Sequence, residues 1–443
     1  MKLIDLFAGA GGLSEGFYQA GFTIQASIDN NPHCINTLKS RALFRYYHSI
    51  GREKEYFSII KDRDIKDRLE IFDFLSSEKK ISEKIESIDL SNTYDTKVLK
   101  SIKKIGIKPD LIVGGPPCQA YSLMNTRARK NAKDSRHVLF KNYLHIIDQL
   151  KPKMFLFENV VGMTSTIIDG KNIIQLFEND LKKMKTQYTI ISKMDGTLFS
   201  NLSYNRKDYI YNMSSYGLPQ NRKRFILIAV RNDIYNKINV DLLSDKIFNT
   251  PSNEMNTVKD AIHDLPKLFL KTNRGEDIFL NKKSNKKKMS QYASSLMNTE
   301  IKGTFNHKAR TQMKEDLARY KYLAKLPKDE RASNTLQLLK DKMPKLLPNH
   351  KNLSSFVDRF KVQYKENISS TVMAHISKDG HYYIHYDPEQ NRSLTVREAA
   401  RLQGFPDDYF FEGPRTEQFK MVGNAVPPFF TKQLAEIILE IFN

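Results

Sequence analysis

Short apolar runs alternate with stretches of helical periodicity along roughly the first half of the chain. Lys2 to Phe7 is apolar enough for a buried strand, Gly9 to Gly12 for a tight turn, and Leu13, Phe17 and Ala20 then recur at helical spacing until Gly21 stops the helix. Phe22 to Ile28 predicts a second strand that ends at Asp29. Further strands are expected at Asp110 to Val113, Met154 to Glu158, Tyr188 to Met194 and Arg224 to Val230. A helix is expected where Ile173, Ile174, Phe177, Leu181 and Met184 make one apolar face. Regular alternation of strand and helix predicts an α/β fold with a mostly parallel, Rossmann-like sheet. From about Asn232 to Gln390 the pattern degrades into polar, Lys-rich segments without an internal repeat, which predicts a second, smaller domain.

The strand-turn-helix-strand unit ending in Asp29 is the nucleotide-binding half of such a sheet. Its glycines depart from the dinucleotide fingerprint, because Ser14 stands where a third glycine is expected, and this counts against a nicotinamide or flavin oxidoreductase. Two charged stretches, roughly Arg41 to Glu86 and Gly196 to Tyr211, interrupt the alternation and read as surface insertions.

Charge narrows the partner. The chain has 71 Lys+Arg against 50 Asp+Glu and a formal charge of +21, which favours a polyanion such as nucleic acid. Richness in Lys, Asn and Ile also follows from an AT-rich genome, so the charge does not decide alone. The run Lys282, Lys283, Lys286, Lys287, Lys288 suits a solvated loop as well as phosphate contacts. Two cysteines, Cys34 and Cys118, make neither a disulfide framework nor a zinc site, and the ten histidines lack metal-ligand spacing, so no metal is expected. Cys34 reads as packing. No stretch approaches the ~18 apolar residues of a membrane span, and Asp5 stands where a signal peptide would be apolar, so no membrane partner and a cytoplasmic location are expected.

Candidate chemistry lies in Gly114-Gly115-Pro116-Pro117-Cys118-Gln119-Ala120-Tyr121-Ser122. It places a cysteine on a Pro-stiffened loop beyond a buried strand, where ligands of open α/β sheets bind. The competing reading is an inert, buried thiol. The Pro-Cys-Gln segment resembles the catalytic loop of the cytosine-5 DNA methyltransferases. Other signatures of that family follow in family order: Asp5-Leu6-Phe7-Ala8-Gly9-Ala10-Gly11-Gly12, Phe157-Glu158-Asn159-Val160, Tyr216-Gly217-Leu218-Pro219-Gln220-Asn221-Arg222-Lys223-Arg224, Leu394-Thr395-Val396-Arg397-Glu398 and Gly423-Asn424-Ala425-Val426-Pro427-Pro428.

The resemblance implies a catalytic core over residues 1–231, a target recognition domain over 232–390 and a return segment over 391–443 that completes the core. It implies S-adenosyl-L-methionine as methyl donor, double-stranded DNA as substrate, a monomer, and a restriction-modification setting with a cognate endonuclease. By position, Cys118 would be the nucleophile, Glu158 the acid at ring nitrogen 3, Asn159 the residue orienting Glu158, Arg224 the group on the cytosine carbonyl oxygen, and Arg222 its neighbour beside the catalytic loop. Phe7, Gly9, Gly11, Gly12, Asp29, Pro116, Asn424 and Val426 would contact the cofactor, with Asp89 preferred over Asp64 for the adenine. Gln119, Ser122, Arg127, Arg129 and Arg136 would meet DNA. Arg397, Glu398 and Arg401 would organise the interface between domains. The base that removes the carbon 5 proton and the target site stay unassigned. Of the alternatives, the family's tRNA-methylating branch shares the core, but no Cys-Phe-Thr segment of that branch occurs before residue 390; an inactive DNA-binding relative would not need Cys118, Glu158 and Arg224 together.

Overall fold

A computed structural model describes residues 1–92, 96–104, 106, 108–117, 136–165, 167–168, 171–192, 207–249, 255–269, 279–281, 284–348 and 357–442. Its centre is an eight-stranded sheet. Strands β1 (Lys2–Leu6), β2 (Thr23–Asp29), β3 (Lys84–Ser87), β4 (Leu111–Gly114) and β5 (Met154–Val160) are parallel. The remaining strands are β6 (Tyr188–Ile190), β7 (Ile210–Asn212) and β8 (Lys223–Arg231), and the spatial order is β3-β2-β1-β4-β5-β8-β6 with β7 also paired to β8. β8 runs antiparallel to β5, β6 and β7. A parallel connection needs a crossover, usually a helix. Between β7 and β8 residues 213–222 hold one short 3-10 turn, Met213–Tyr216, closed by Gly217 at φ 82°, and no crossover helix, so the chain reverses beside its predecessor.

Apolar alternation along the strands serves two helical layers. Ile4, Leu6, Ile112, Phe155 and Phe157 face helices α6 (Arg136–Leu150) and α7 (Ile173–Leu181) through Phe140, Tyr143, Ile147 and Phe177. On the other face Leu3, Val113, Leu156 and Ile228 pack on α1 (Gly12–Gln19), α8 (Val240–Asn249) and the last helix, α15 (Pro428–Phe442). The return segment is thus joined to the first strand: Thr431 hydroxyl lies 3.3 Å from the Gly12 and Leu13 carbonyls, and a Cβ on Gly16 would sit 2.0 Å from that hydroxyl.

The stretch from Arg41 to Glu86 differs from the surface insertion that its charge suggests. It belongs to helices α2 (Pro32–Ser49), α3 (Glu53–Asp62) and α4 (Ile65–Ser77) and strand β3, with Leu43, Tyr56, Ile60 and Phe72 buried. Three of its arginines point inward: Arg41 pairs with Glu15 and Asp408, Arg45 with Glu83 and Glu15, and Arg68 with Glu412, all deeply buried. Of the second stretch, residues 193–206 lie outside the described residues, and its end forms β7.

Beyond β8, α8 packs on the sheet through Leu243 and Ile247. Helices α9 (Val258–Ile262), α10 (Gln291–Leu296), α13 (Val396–Leu402) and α14 (Arg415–Asn424) share another apolar cluster. A separate small core, with Tyr320, Leu323, Leu339, Phe360, Val362 and Ile384, is built on α11 (Lys314–Lys325), α12 (Thr335–Lys342) and the segment after residue 356. Charged residues on α13 fasten these parts. Glu398 closes a capping box with Thr395 and binds Arg392 through both oxygens at 2.6 and 2.7 Å; Arg401 spans Asp264 and Asp407; Arg397 donates to the carbonyls of Phe305, Pro406 and Tyr409.

Candidate active site

Three strand ends converge on one carboxylate. β4 ends at Gly114 in register with Phe157 of β5, and Glu158 pairs across to Ile226 of β8. Glu158 then lies against the backbone of Gly115, where a Cβ would come within 2.7 Å of its Oε2. Only a glycine leaves room for that approach. Arg224 Nε sits 3.1 Å from Glu158 Oε1, and both side chains are close to nine-tenths buried. Burial pushes the Glu158 carboxyl above its ordinary range, and the positive charges of Arg224 and Arg222 only partly offset this. A buried acid with a raised pKa beside a fixed guanidinium can hold a proton for a ligand and donate it.

Pro116 and Pro117 carry the chain on from Gly115. Asn159 does not orient Glu158, contrary to expectation: its Nδ2 donates to the Pro116 carbonyl at 2.9 Å and its Oδ1 accepts from the Val160 amide at 2.9 Å. Neighbouring residues on a strand point to opposite faces, so Asn159 anchors the loop, not the acid. Cys118, Gln119, Ser122, Arg127 and Arg129 lie outside the described residues, and so does the side chain of Arg136, the first residue of α6.

Arg222, expected beside the catalytic loop, is close enough to Glu158 to offset part of the rise in its pKa but directs its donors at the backbone. It is fully buried and donates to the carbonyls of Val372 at 2.9 Å, Gly423 at 3.3 Å and Ala425 at 2.7 Å, while Nε has no partner among the described residues. It therefore clasps the stretch of chain at Val372 to the end of α14, next to Glu158. Gln220 reinforces the clasp, donating to Leu402 O at 3.0 Å and accepting from Val372 N at 2.7 Å.

The carboxyl ends of β1 and β2 carry the glycine turn and Asp29. Phe7 takes a left-handed backbone conformation, φ 55°, which is uncommon for a bulky residue. Gly9 and Gly11 follow at φ 54° and 73°. Asp29 Oδ2 accepts from the Gly9 amide at 2.8 Å and Oδ1 from the Asn31 amide at 2.8 Å. A Cβ on Gly9 would meet nothing within 4 Å, so this glycine faces open space. Gly11 and Gly12 are instead required by the protein's own packing: a Cβ would lie 2.9 Å from Leu38 and 2.3 Å from the Val426 carbonyl, respectively. Val426 is buried against this turn and Asn424 is exposed at the end of α14.

Asp89 stands at the same edge, one residue beyond Ile88, whose amide donates to the Asp29 carbonyl at 3.0 Å. Asp64 caps α4 by accepting from the Asp67 amide. Asp5 is a functional candidate that sequence reading missed. It is fully buried under the turn and accepts the Ser14 amide at 3.3 Å, so it caps α1, whose N-cap Gly11 has no side chain to do so. Its other oxygen has no partner among the described residues, and burial pushes its carboxyl up to about 7. An acid within an apolar strand is the signal that could have found it. Among the described residues no group of three or more His, Cys, Asp or Glu could hold a metal, and no helix is long and apolar enough to cross a membrane.

The largely parallel sheet, with an open glycine turn beyond β1 and a buried acid-guanidinium pair at the end of β5, has the Rossmann-like methyltransferase architecture. The chain belongs to the C-5 cytosine-specific DNA methylase family, which it matches over residues 1–77 and 47–440, and it is a DNA (cytosine-5-)-methyltransferase. It is 35% identical to a type II methyltransferase of Bacillus paralicheniformis, over 100% of this chain and 99% of the relative. It is 29% identical to a type II methyltransferase of Haemophilus parahaemolyticus, over 100% of this chain and 87% of the relative. A crystal structure of a prophage-encoded DNA modification methyltransferase (E. coli) shares the fold at a TM-score of 0.65 and 22% identity, covering 100% of this chain and 99% of that one.

Proposed function

We propose that this enzyme methylates carbon 5 of a cytosine flipped out of a specific site in duplex DNA, with S-adenosyl-L-methionine as donor, and that it protects host DNA alongside a cognate endonuclease. When bound, the cofactor supplies an electrophilic methyl group. Carbon 5 of cytosine is a weak nucleophile, so the thiolate of Cys118 adds to carbon 6 and makes an enamine-like ring. Glu158 gives its proton to ring nitrogen 3 as electron density arrives there, and Arg224 holds the carbonyl oxygen and steadies the Glu158 carboxyl. Carbon 5 then takes the methyl group as that group's bond to the donor sulfur breaks, ring nitrogen 3 returns its proton to Glu158, a base removes the carbon 5 proton, and Cys118 leaves with its bonding pair. A base stacked in duplex DNA is out of reach of such a pocket, hence the flip.

The observation that carries this reading is Glu158, buried, raised in pKa and 3.1 Å from Arg224, against the loop that leads through Pro116 and Pro117 to Cys118. The cofactor residues support it as well: Gly9 opens on free space, Phe7 is held in a strained conformation at the turn, and Asp29 and Asp89 share the adjoining strand edge. We assign Asp29 to the ribose hydroxyls and Asp89 to the adenine, with Pro116, Asn424 and Val426 completing the cofactor site. Arg222 acts by position. Residues 232–390 carry the recognition function, supported by the separate core around Tyr320 and Phe360; Gln119, Ser122, Arg127, Arg129 and Arg136 meet the DNA. With chromosomal DNA as substrate, the enzyme works in the cytoplasm as a monomer.

Methylation-sensitive sequencing of DNA from a host expressing the chain tests this directly. The expected result is 5-methylcytosine at one recurrent site; unmodified DNA, or methyl groups on another base, would overturn the proposal.

A further inference from the structure

The glycine turn is held from an unexpected direction. Tyr409, far along the chain in the return segment, donates its hydroxyl to the Ala10 carbonyl. The amide of the next residue, Gly11, donates to the Ala8 carbonyl at 2.8 Å. Both polar atoms of the Ala10–Gly11 peptide are therefore pinned, and with them the left-handed Gly11, φ 73°. A Cβ on Gly11 would come within 3.0 Å of the Tyr409 hydroxyl, so the approach is as close as a glycine permits.

The tyrosine is itself fixed on every side. Phe405 and Phe411 pack on its ring at centroid distances of 4.9 and 5.2 Å, and the Arg41 guanidinium lies 4.8 Å over it. Arg41 binds both oxygens of Glu15, on the helix that the turn opens, at 2.6 and 2.9 Å, and Asp408 Oδ1 at 2.8 Å. The other oxygen of Asp408 accepts from Asn298 at 3.0 Å. Buried charges are justified when they are fully paired. Here the pairs leave the hydroxyl little freedom except to face Ala10.

We infer that Tyr409 is a positioning residue for the cofactor: its hydroxyl sets the Ala10–Gly11 peptide so that the open side of the turn, at Gly9, accepts the methionine part of S-adenosyl-L-methionine. The inference rests on the assignment of this turn to that cofactor. Without the hydroxyl, a buried carbonyl loses its partner and the peptide is free to rotate, so the turn must be ordered again each time it binds ligand.

The test compares Tyr409→Phe with Tyr292→Phe in the full chain. Tyr292 is a matched control: it is buried in the same apolar cluster, and its hydroxyl also donates to a backbone carbonyl, that of Arg401, at 2.7 Å. Calorimetry with S-adenosylhomocysteine and thermal melting without ligand are read for each. Both variants should melt lower by similar amounts, whereas Tyr409→Phe alone should weaken binding by about tenfold, with KM for the methyl donor rising more than kcat falls. Binding within twofold of the parent in Tyr409→Phe, or equal weakening in both variants, would overturn the inference while leaving the cofactor assignment standing. A parent enzyme that does not bind S-adenosylhomocysteine would overturn the assignment and the inference together. Should Tyr409→Phe not fold, Asn298→Ala carries the test from outside the turn: it releases Asp408 and should weaken binding in the same direction, and unchanged affinity would count against the inference.

Discussion

A carboxyl group that is to deliver a proton at neutral pH has to be kept from solvent without being neutralised by its partner. Glu158 meets both conditions: burial raises its pKa, and Arg224, at 3.1 Å, lowers it by less. Glu158→Gln should bind cofactor and DNA as the parent does and lose about 10²- to 10⁴-fold in single-turnover rate, the usual range for a positioned acid. The pH profile gives the sign. Raising a carboxyl's pKa extends its protonated form to higher pH, so the parent rate should fall as pH rises through the raised value. Glu158→Gln should lose that alkaline fall; a variant that kept it would place the titrating acid elsewhere. Glu158 and Arg224 were legible in the sequence because their motifs name them. The motif of Arg224 also names Arg222 but not its contacts, since it precedes β8, where strand alternation does not govern direction, and its partners are carbonyls of residues 372, 423 and 425. Backbone acceptors leave no trace in residue types.

At the scale of elements, strand ends and their turns set the geometry. The β4 exit turns at Gly115 because Glu158 fills the space where a side chain would stand, and Asn159 ties down the Pro116 carbonyl behind it. Gly115→Ala should therefore push the Glu158 carboxylate off Arg224 and the Pro loop. Turnover should fall at least tenfold with melting temperature changed little, because the displaced atoms are at the end of a side chain; kinetics and melting on one preparation check it, and parental turnover would show that this approach is not needed. Strands β1, β2, β4 and β5 were readable from apolar runs separated by helical periodicity, whereas β3 fell in the stretch that read as a surface insertion. The reversal of β8 was not readable, because direction is set by what connects two strands, and here residues 213–222 join β7 to β8 without a crossover helix, which periodicity does not mark. The helices between Arg41 and Glu86 were hidden for a related reason. Their arginines pair with Glu15, Asp408 and Glu412, partners 26 to 367 residues distant in the chain, so a pattern that locally reads as solvated is in fact an internal network.

For the whole molecule, the chain's two ends meet under the glycine turn after β1, through α1 on α15 and Tyr409 on Ala10, and Val372 and helix α9 are fastened there by Arg222, Gln220 and Arg401. This explains why family signatures fall at opposite ends of the sequence: they are adjacent in space. The account's central claim is covalent chemistry at Cys118 with Glu158 as its acid, and trapping on DNA tests it most directly. Incubated with cofactor and duplex DNA carrying 5-fluorocytosine at the methylated position, the enzyme should form a denaturation-resistant complex, because fluorine cannot leave as a proton. Peptide mapping should place the link at Cys118, and Cys118→Ser should form none. A Cys118→Ser protein that still methylates DNA near the parent rate, or a link mapped to another residue, would contradict the account.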